Sequence, residues 1–227
     1  MKQATNLDCS EQPWSYSALT AFEQCPRKYY HYNLEKTVKD TGNAATEYGS
    51  MVHKAFELRL KNGKRLPLDL IHFDKYMTQL ESTAGEVMTE QKLGLTRNLE
   101  ATGFFDNDIW LRGIIDLVIV NNETMVVLDY KTGKRIEEGF DQVKLQAAMM
   151  FAVLPEVQKA KVGYFFTKHK KFTFTEMTRA DCTEVWNEFI PRVNRMQEAI
   201  REGNFPAKQN FLCGKYCKVK TCQFCGE

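Results

Sequence analysis

Asp116 and the tripeptide Asp129-Tyr130-Lys131 put charge where charge is costly. Each lies in or at the end of an apolar, β-branched run, Ile114-Ile115-Asp116-Leu117-Val118-Ile119-Val120 and Met125-Val126-Val127-Leu128-Asp129-Tyr130-Lys131. A carboxylate buried in a strand without a partner is destabilising, so three charges on neighbouring strands point to a site rather than a surface. Two carboxylates can hold a hard divalent cation, Mg²⁺ or Mn²⁺, and a lysine beside them can help a water attack a phosphodiester. Residues two apart on a strand face the same way, so Asp129 and Lys131 share a face. Tyr130 points into packing and offers the metal its backbone carbonyl. Asp116 comes from the strand across the hairpin.

His53 is a further candidate. A lone helical histidine is ordinarily structural, but Gly49 one turn earlier leaves the helix surface open to a strand, nucleotide or metal. An imidazole nitrogen among carboxylates favours Mn²⁺ more than an all-oxygen site does.

The second concentration of chemistry is thiol. Of seven cysteines, Cys213, Cys217, Cys222 and Cys225 fall in the last 15 residues, spaced Cys-x3-Cys-x4-Cys-x2-Cys. In an intracellular chain that density implies a metal or iron–sulfur site rather than disulfides. Tetrahedral Zn²⁺ and an iron–sulfur cluster both remain open at this level. Cys9 and Cys182 have no partners at useful spacing and read as ordinary thiols.

The elements that must position these groups follow from periodicity. Ser15 or Ser17 caps a helix through Ala18–Phe22, and Pro26 breaks it. Residues 44–61 read as an amphipathic helix ending at Gly63, and 68–85 as another. Val87–Leu95, Ile109–Val120 and Thr124–Tyr130 read as strands, the last two joined by a tight turn at Asn121-Asn122. A helix over 137–153, strands Lys161–Thr167 and Lys171–Met177, and a helix over 181–202 kinked at Pro191 complete the order. This predicts an α/β fold, a central mixed sheet flanked by helices.

A net charge of +2 gives little global steering toward DNA, and 43% hydrophobic residues suffice for a core. Local basic clusters carry any nucleic-acid footprint: Arg27-Lys28, Lys131 with Lys134-Arg135, Lys168 to Lys171, and Lys208 to Lys220. Arg27, Lys28, Tyr29 and Tyr30 combine cations with rings that bases could stack on. Met1–Trp14 is polar and no run is long and apolar enough to span a bilayer. A protein of the cytoplasm, in a bacterium or a phage-infected cell, is expected, without membrane association.

Gly49-Ser50-Met51-Val52-His53, Gly113-Ile114-Ile115-Asp116 and Asp129-Tyr130-Lys131-Thr132-Gly133-Lys134 together resemble the RecB-like branch of the PD-(D/E)xK nucleases. The resemblance covers roughly residues 15–225. It implies a restriction-endonuclease-like core, metal binding by His53, Asp116 and Asp129, and catalysis by Lys131. Glu90 matches a further acid of some members. Gln146 fits the first position of the Gln-x-x-x-Tyr motif on the following helix, where Met150 replaces the tyrosine.

The segment Phe22-Glu23-Gln24-Cys25-Pro26-Arg27-Lys28-Tyr29-Tyr30 resembles the N-terminal cysteine motif of the iron–sulfur subgroup, which includes AddB-type recombination subunits and CRISPR adaptation nucleases. By that resemblance Cys25, Cys213, Cys217 and Cys222 hold a [4Fe–4S] cluster and Cys225 is spare, although the spacing departs from Cys-x2-Cys-x5-Cys. The alternative is a local four-cysteine Zn²⁺ knuckle. One nuclease domain over 1–227 is expected, in which 15–35 and 206–227 form the cluster subdomain. Closing so long a loop would contribute roughly 4–5 kcal/mol, by analogy with a long disulfide loop.

The function implied is a metal-dependent DNA exonuclease acting on DNA ends or single strands in recombination, repair or phage DNA processing. A CRISPR adaptation nuclease trimming spacer precursors is one alternative. A non-catalytic DNA-binding module with a zinc-stapled tail is another. No Gly-x-x-x-x-Gly-Lys-Ser/Thr loop occurs, so a helicase, like a single-strand annealing protein, would be a separate partner.

Overall fold

The computed structural model describes residues 12–39, 42–136, 138–214 and 216–225. Cys9 and Glu137, the first residue of one expected helix, lie outside them. The chain divides at Thr41/Gly42 and Val185/Trp186 into two compact units. The central unit, Gly42–Val185, carries the sheet. The terminal unit takes in both segments assigned to the cluster, 15–35 and 206–227.

In the central unit six strands are ordered β2-β1-β3-β4-β5-β6. They are β1 (Glu86–Leu95), β2 (Ala101–Thr102), β3 (Leu111–Asn121), β4 (Thr124–Lys131), β5 (Lys159–Phe166) and β6 (Lys171–Thr178). All neighbours are antiparallel except β4 and β5, so the sheet is mixed as predicted. A parallel pair needs a crossover, and α5 (Asp141–Val153) supplies it.

Several boundaries differ from expectation. The hairpin turn is Asn122-Glu123, because Asn121 still pairs with Thr124 and Asn122 takes the left-handed φ of 51°. Ile109 and Trp110 precede β3 instead of opening it. The helix expected over 68–85 is a 3₁₀ turn, Ile71–Phe73, running into α4 (Asp74–Glu81), since Leu70 and its neighbours form a turn closed by Leu70 N–H on Pro67 O. A helix continues through Pro191, from Cys182 to Glu202 (α6).

α3 (Ala44–Asn62) starts where the Asn43 side chain accepts from the Ala45 and Thr46 amides, and ends at Gly63 with φ 63°. It buries Val52, Phe56 and Leu60 against Leu117, Ile119, Leu128, Tyr130 and Phe165 of the sheet, Phe73 of the 3₁₀ turn and Met77 of α4. Phe56 stands edge-on to the Tyr130 ring, centroids 5.1 Å apart, and to Phe73 at 5.5 Å. This apolar layer sets the height of α3 over the ends of β3 and β4.

In the terminal unit, α1 (Tyr16–Gln24) is capped by Ser15 and buries Leu19 and Phe22. α2 (Pro26–Tyr29) opens with Pro26 in its first turn and the Cys25 sulfur accepting from Lys28 N–H. The Arg192 guanidinium of α6 pairs both Glu23 carboxylate oxygens at 2.8 Å.

Candidate active site

The β3–β4 ladder pairs Asn121↔Thr124 through Leu117↔Leu128 and goes no further. Where the strands part, Asp116 takes the place of the missing ladder partner. Its Oδ2 accepts from Tyr130 N–H at 2.7 Å. The opposite face of the same gap is closed by His53 of α3. Its Nδ1 lies 3.1 Å from Asp116 Oδ1 and its Nε2 2.9 Å from the Tyr130 carbonyl. Without a bound ion both ring nitrogens face acceptors, which the doubly protonated ring satisfies, and an ion held by this ring would displace one of its two protons. Burial pulls the imidazole pKa down, but the Asp116 hydrogen bond and charge outweigh it and the net shift is upward.

Glu90 enters from β1, at a residue with φ 50°. A left-handed non-glycine residue inside a strand is uncommon and marks a functional or strained position. Burial, then the charge of Asp116, raises its carboxyl pKa. The ligand atoms of His53, Glu90 and Asp116 lie within 4.8 Å of one another. They line a cavity of about 490 Å³ with Gly49, Ser50, Lys54 and Glu57. One nitrogen and two carboxylates are the donor chemistry of Mg²⁺ or Mn²⁺, so these residues fit such an ion. Gly49 does what the sequence suggested: a Cβ there would stand 3.1 Å from Thr132 Oγ1, just past the end of β4.

Asp129 and Lys131 do share a face, with Asp129 Oδ2 3.0 Å from Lys131 Nζ. The third member of that group is Gln142 of α5. Its amide nitrogen donates to Asp129 Oδ1 and its carbonyl accepts from Lys131 Nζ, both at 2.6 Å. The sequence reading missed Gln142 and chose Gln146. Gln146 is one turn further along α5, 5% exposed, and donates to the Ile114 backbone carbonyl at 3.3 Å. The available signal was the i, i+4 spacing, which puts both glutamines on one face of the helix. Glu57 was also missed, although it follows His53 by one turn.

Asp129 is almost fully buried. Burial, then the charge of Asp116, pushes its pKa up to about 6. The folded state therefore binds this proton more tightly than the unfolded chain. Its stabilising effect is complete below the ordinary value near 3.8 and is lost as pH rises through about 6. Without metal, Asp129→Asn is expected to gain stability over the wild type between pH 4.5 and 7.5, up to ~3 kcal/mol. Urea midpoints in a chelating buffer test this, and a pH-independent difference would refute it.

The remaining assigned residues lie in the terminal unit. Cys25 is buried, and its sulfur accepts from Lys28 N–H and Lys208 N–H, each at 3.5 Å. The Cys213 sulfur accepts from Asn210 N–H at 3.3 Å, and that of Cys217 from Val219 N–H. Cys225 donates to the Cys217 carbonyl at 3.6 Å, and these four thiols and Cys222, which is half-buried, are free of disulfides. Tyr29 is a core residue rather than a stacking surface: it is 6% exposed and packs edge-on against Phe22. Tyr30 stacks on Phe205 at 4.6 Å and its hydroxyl bonds Glu35. With Arg27 these two rings line a cavity of about 360 Å³. Lys28 lies 5.6 Å from the Tyr32 ring centre. Among the described residues no helix is long and apolar enough to cross a membrane.

A protein of Mycobacterium phage L5, the Gene 69 protein, is 31% identical over 132 residues, 54% of this chain. The chain spans only 40% of that relative's length. Among solved structures, SSO0001 superposes with a TM-score of 0.45 at 15% identity, covering 98% of this chain and 88% of that one. A candidate exonuclease from Eubacterium rectale gives 0.47 at 13%, covering 94% and 92%. Residues 13–223 match the PD-(D/E)XK nuclease superfamily, a span that holds every side chain of the site. With buried acids where two strands part, a lysine two residues beyond the second, and that match over most of its length, the chain belongs to the PD-(D/E)XK nuclease superfamily.

Proposed function

We propose that this chain is a divalent-metal-dependent deoxyribonuclease that hydrolyses phosphodiesters at DNA ends or in single strands. The observation that carries the reading is the convergence of His53, Glu90 and Asp116 within 4.8 Å, beside the Asp129–Lys131–Gln142 group. A bound Mg²⁺ or Mn²⁺ supplies positive charge to the phosphate oxygens and acidifies water. His53, Glu90 and Asp116 would hold it, with Asp129 and the Tyr130 carbonyl at the margin of the site. Lys131 has three N–H donors. One meets Asp129 and one Gln142, leaving the third to orient the attacking water or meet the phosphate oxygen that gains charge. Gln142 fixes the rotamers of both neighbours.

We assign Cys25, Cys213, Cys217 and Cys222 to a [4Fe–4S] cluster. Backbone amides point at the sulfurs of Cys25 and Cys213, the donor arrangement that cluster-bound sulfurs accept from. The role is structural, tying residue 25 to the tail. The match to a phage protein favours phage DNA processing, alongside a helicase or single-strand annealing protein, over CRISPR adaptation.

Anaerobically purified protein tests both assignments. It is expected to be brown, absorb near ~400 nm and lose that band in Cys25→Ser. It should degrade end-labelled DNA with Mn²⁺ or Mg²⁺, while Asp116→Ala does not and shows no thermal shift with Mn²⁺. A colourless zinc protein refutes the cluster. Undiminished cleavage by Asp116→Ala refutes the site.

A further inference from the structure

The chain between β2 and β3 carries Phe104 and Phe105, which the nuclease site does not use. Phe105 is 76% exposed on a segment that is otherwise tightly made. Asp106 Oδ2 accepts from Gly103 N–H at 2.8 Å and lies 3.1 Å from Thr102 Oγ1, which is also 2.8 Å from Asp108 Oδ1. A Cβ on Gly103 would stand 2.6 Å from the Asp106 carboxylate, which would have to shift from its bond with Gly103 N–H. The two rings stand edge to face, centroids 5.0 Å apart. A single exposed apolar ring is ordinary on a surface; what sets this one apart is the cations beside it.

Two cations lie against these rings. Lys92 Nζ is 5.9 and 6.0 Å from the Phe104 and Phe105 centres, and Arg112 Cζ 5.5 and 5.9 Å. The acids of the loop bond Thr102 and Gly103 and leave both cations without a carboxylate among the described residues. Arg112 Nε is shielded from solvent and has no acceptor. Lys92 is two residues from Glu90 on β1, and Arg112 four from Asp116 on β3, placing them roughly 7 and 13 Å along the strands from the metal ligands. The exposed Ile114, paired with Lys92, fills the interval.

We propose that Phe104, Phe105, Lys92 and Arg112 form a binding subsite for single-stranded DNA next to the catalytic centre. An unpaired base stacks on Phe105, and Lys92 and Arg112 meet the flanking phosphates. Single-stranded DNA is the occupant because aromatic rings beside unpaired cations match its alternation of base face and phosphate. A duplex keeps its base faces covered. This deepens the nuclease reading and rests on it for the direction of the strand.

The test uses the full-length protein, fluorescein-labelled oligonucleotides and anisotropy in EDTA, where affinity is read without turnover. An abasic residue walked along the single strand should weaken wild-type binding at one position by about 5- to 150-fold, the loss of one base stack. Phe105→Ala should lose as much on the intact strand and show no further loss with the abasic one. Phe105→Trp, which keeps the ring, should bind like the wild type. Lys92→Gln and Arg112→Gln should each lower the salt slope by about 0.7.

Unchanged affinity in Phe105→Ala, or an undiminished abasic penalty in it, overturns the subsite. Equal losses on blunt duplex and single strand overturn the single-strand assignment. Cleavage of end-labelled DNA by the wild type with Mn²⁺, run in parallel, separates the two readings. Binding that responds as stated without cleavage sinks the nuclease and spares the subsite, and the reverse sinks the subsite alone.

Discussion

Lys131→Ala is expected to slow DNA hydrolysis about 10³-fold while DNA affinity changes little. The estimate follows from what removal of one charged donor at the site of developing negative charge costs enzymes of this kind. The side chain is held by two partners of different character, the Asp129 carboxylate at 3.0 Å and the Gln142 carbonyl at 2.6 Å. Gln142→Leu therefore frees Lys131 and leaves Asp129 short of one donor, and a loss of about 10- to 100-fold is expected, typical of outer partners of a metal site. Gln146→Leu should keep nearly all activity. Among the described residues the Gln146 amide donates to the Ile114 carbonyl alone and its own oxygen is buried without a donor, so a leucine of similar size costs little. Single-turnover cleavage of end-labelled DNA at saturating Mn²⁺ measures all three, with far-UV circular dichroism to confirm folding. Lys131→Ala within 10-fold of the wild type would remove the lysine from the chemistry. A larger loss in Gln146→Leu than in Gln142→Leu would reverse the roles assigned to the two glutamines.

Phe56→Ala is expected to destabilise the protein by about 3–5 kcal/mol, the usual cost of deleting a fully buried aromatic ring. The consequence should reach the site. Phe56 contacts the Tyr130 ring, and the Tyr130 backbone donates to Asp116 and accepts from His53, which sits on the same helix as Phe56. Emptying that volume loosens both halves of the gap that His53, Glu90 and Asp116 line. Weaker Mn²⁺ binding by calorimetry should accompany the fall in urea midpoint, at a temperature where the variant is still folded. Phe56→Leu should recover most of the stability, since it restores much of the volume. A variant that loses stability and keeps wild-type Mn²⁺ affinity would show that the aromatic layer does not position the site.

Much of the site was legible because it is local. Asp116, Asp129 and Lys131 stand out within apolar runs, and a strand's two-residue period puts the last two on one face without knowledge of anything else. The sheet's mixed character was legible too, because a helix-length segment between β4 and β5 allows a parallel crossover while short turns force antiparallel neighbours. The hairpin was displaced by one residue, since either Asn121-Asn122 or Asn122-Glu123 can close it and only pairing across the strands decides. Tyr29 and Tyr30, adjacent and alike in sequence, went different ways. A short helix turns each residue by about 100°, which sends one ring to Phe22 in the core and the other to Phe205.

The sequence by itself determined which groups could do chemistry and which strands carry them, because alternation and burial cost act within a few residues. The tertiary structure alone decided their company. Glu90 joins His53 and Asp116 because β1 pairs with β3 and turns through a left-handed residue at that point. Gln142 rather than Gln146 reaches Asp129 and Lys131. The two share a helix face, and the roughly 6 Å between them along the axis is resolved only by where α5 comes to rest over the sheet.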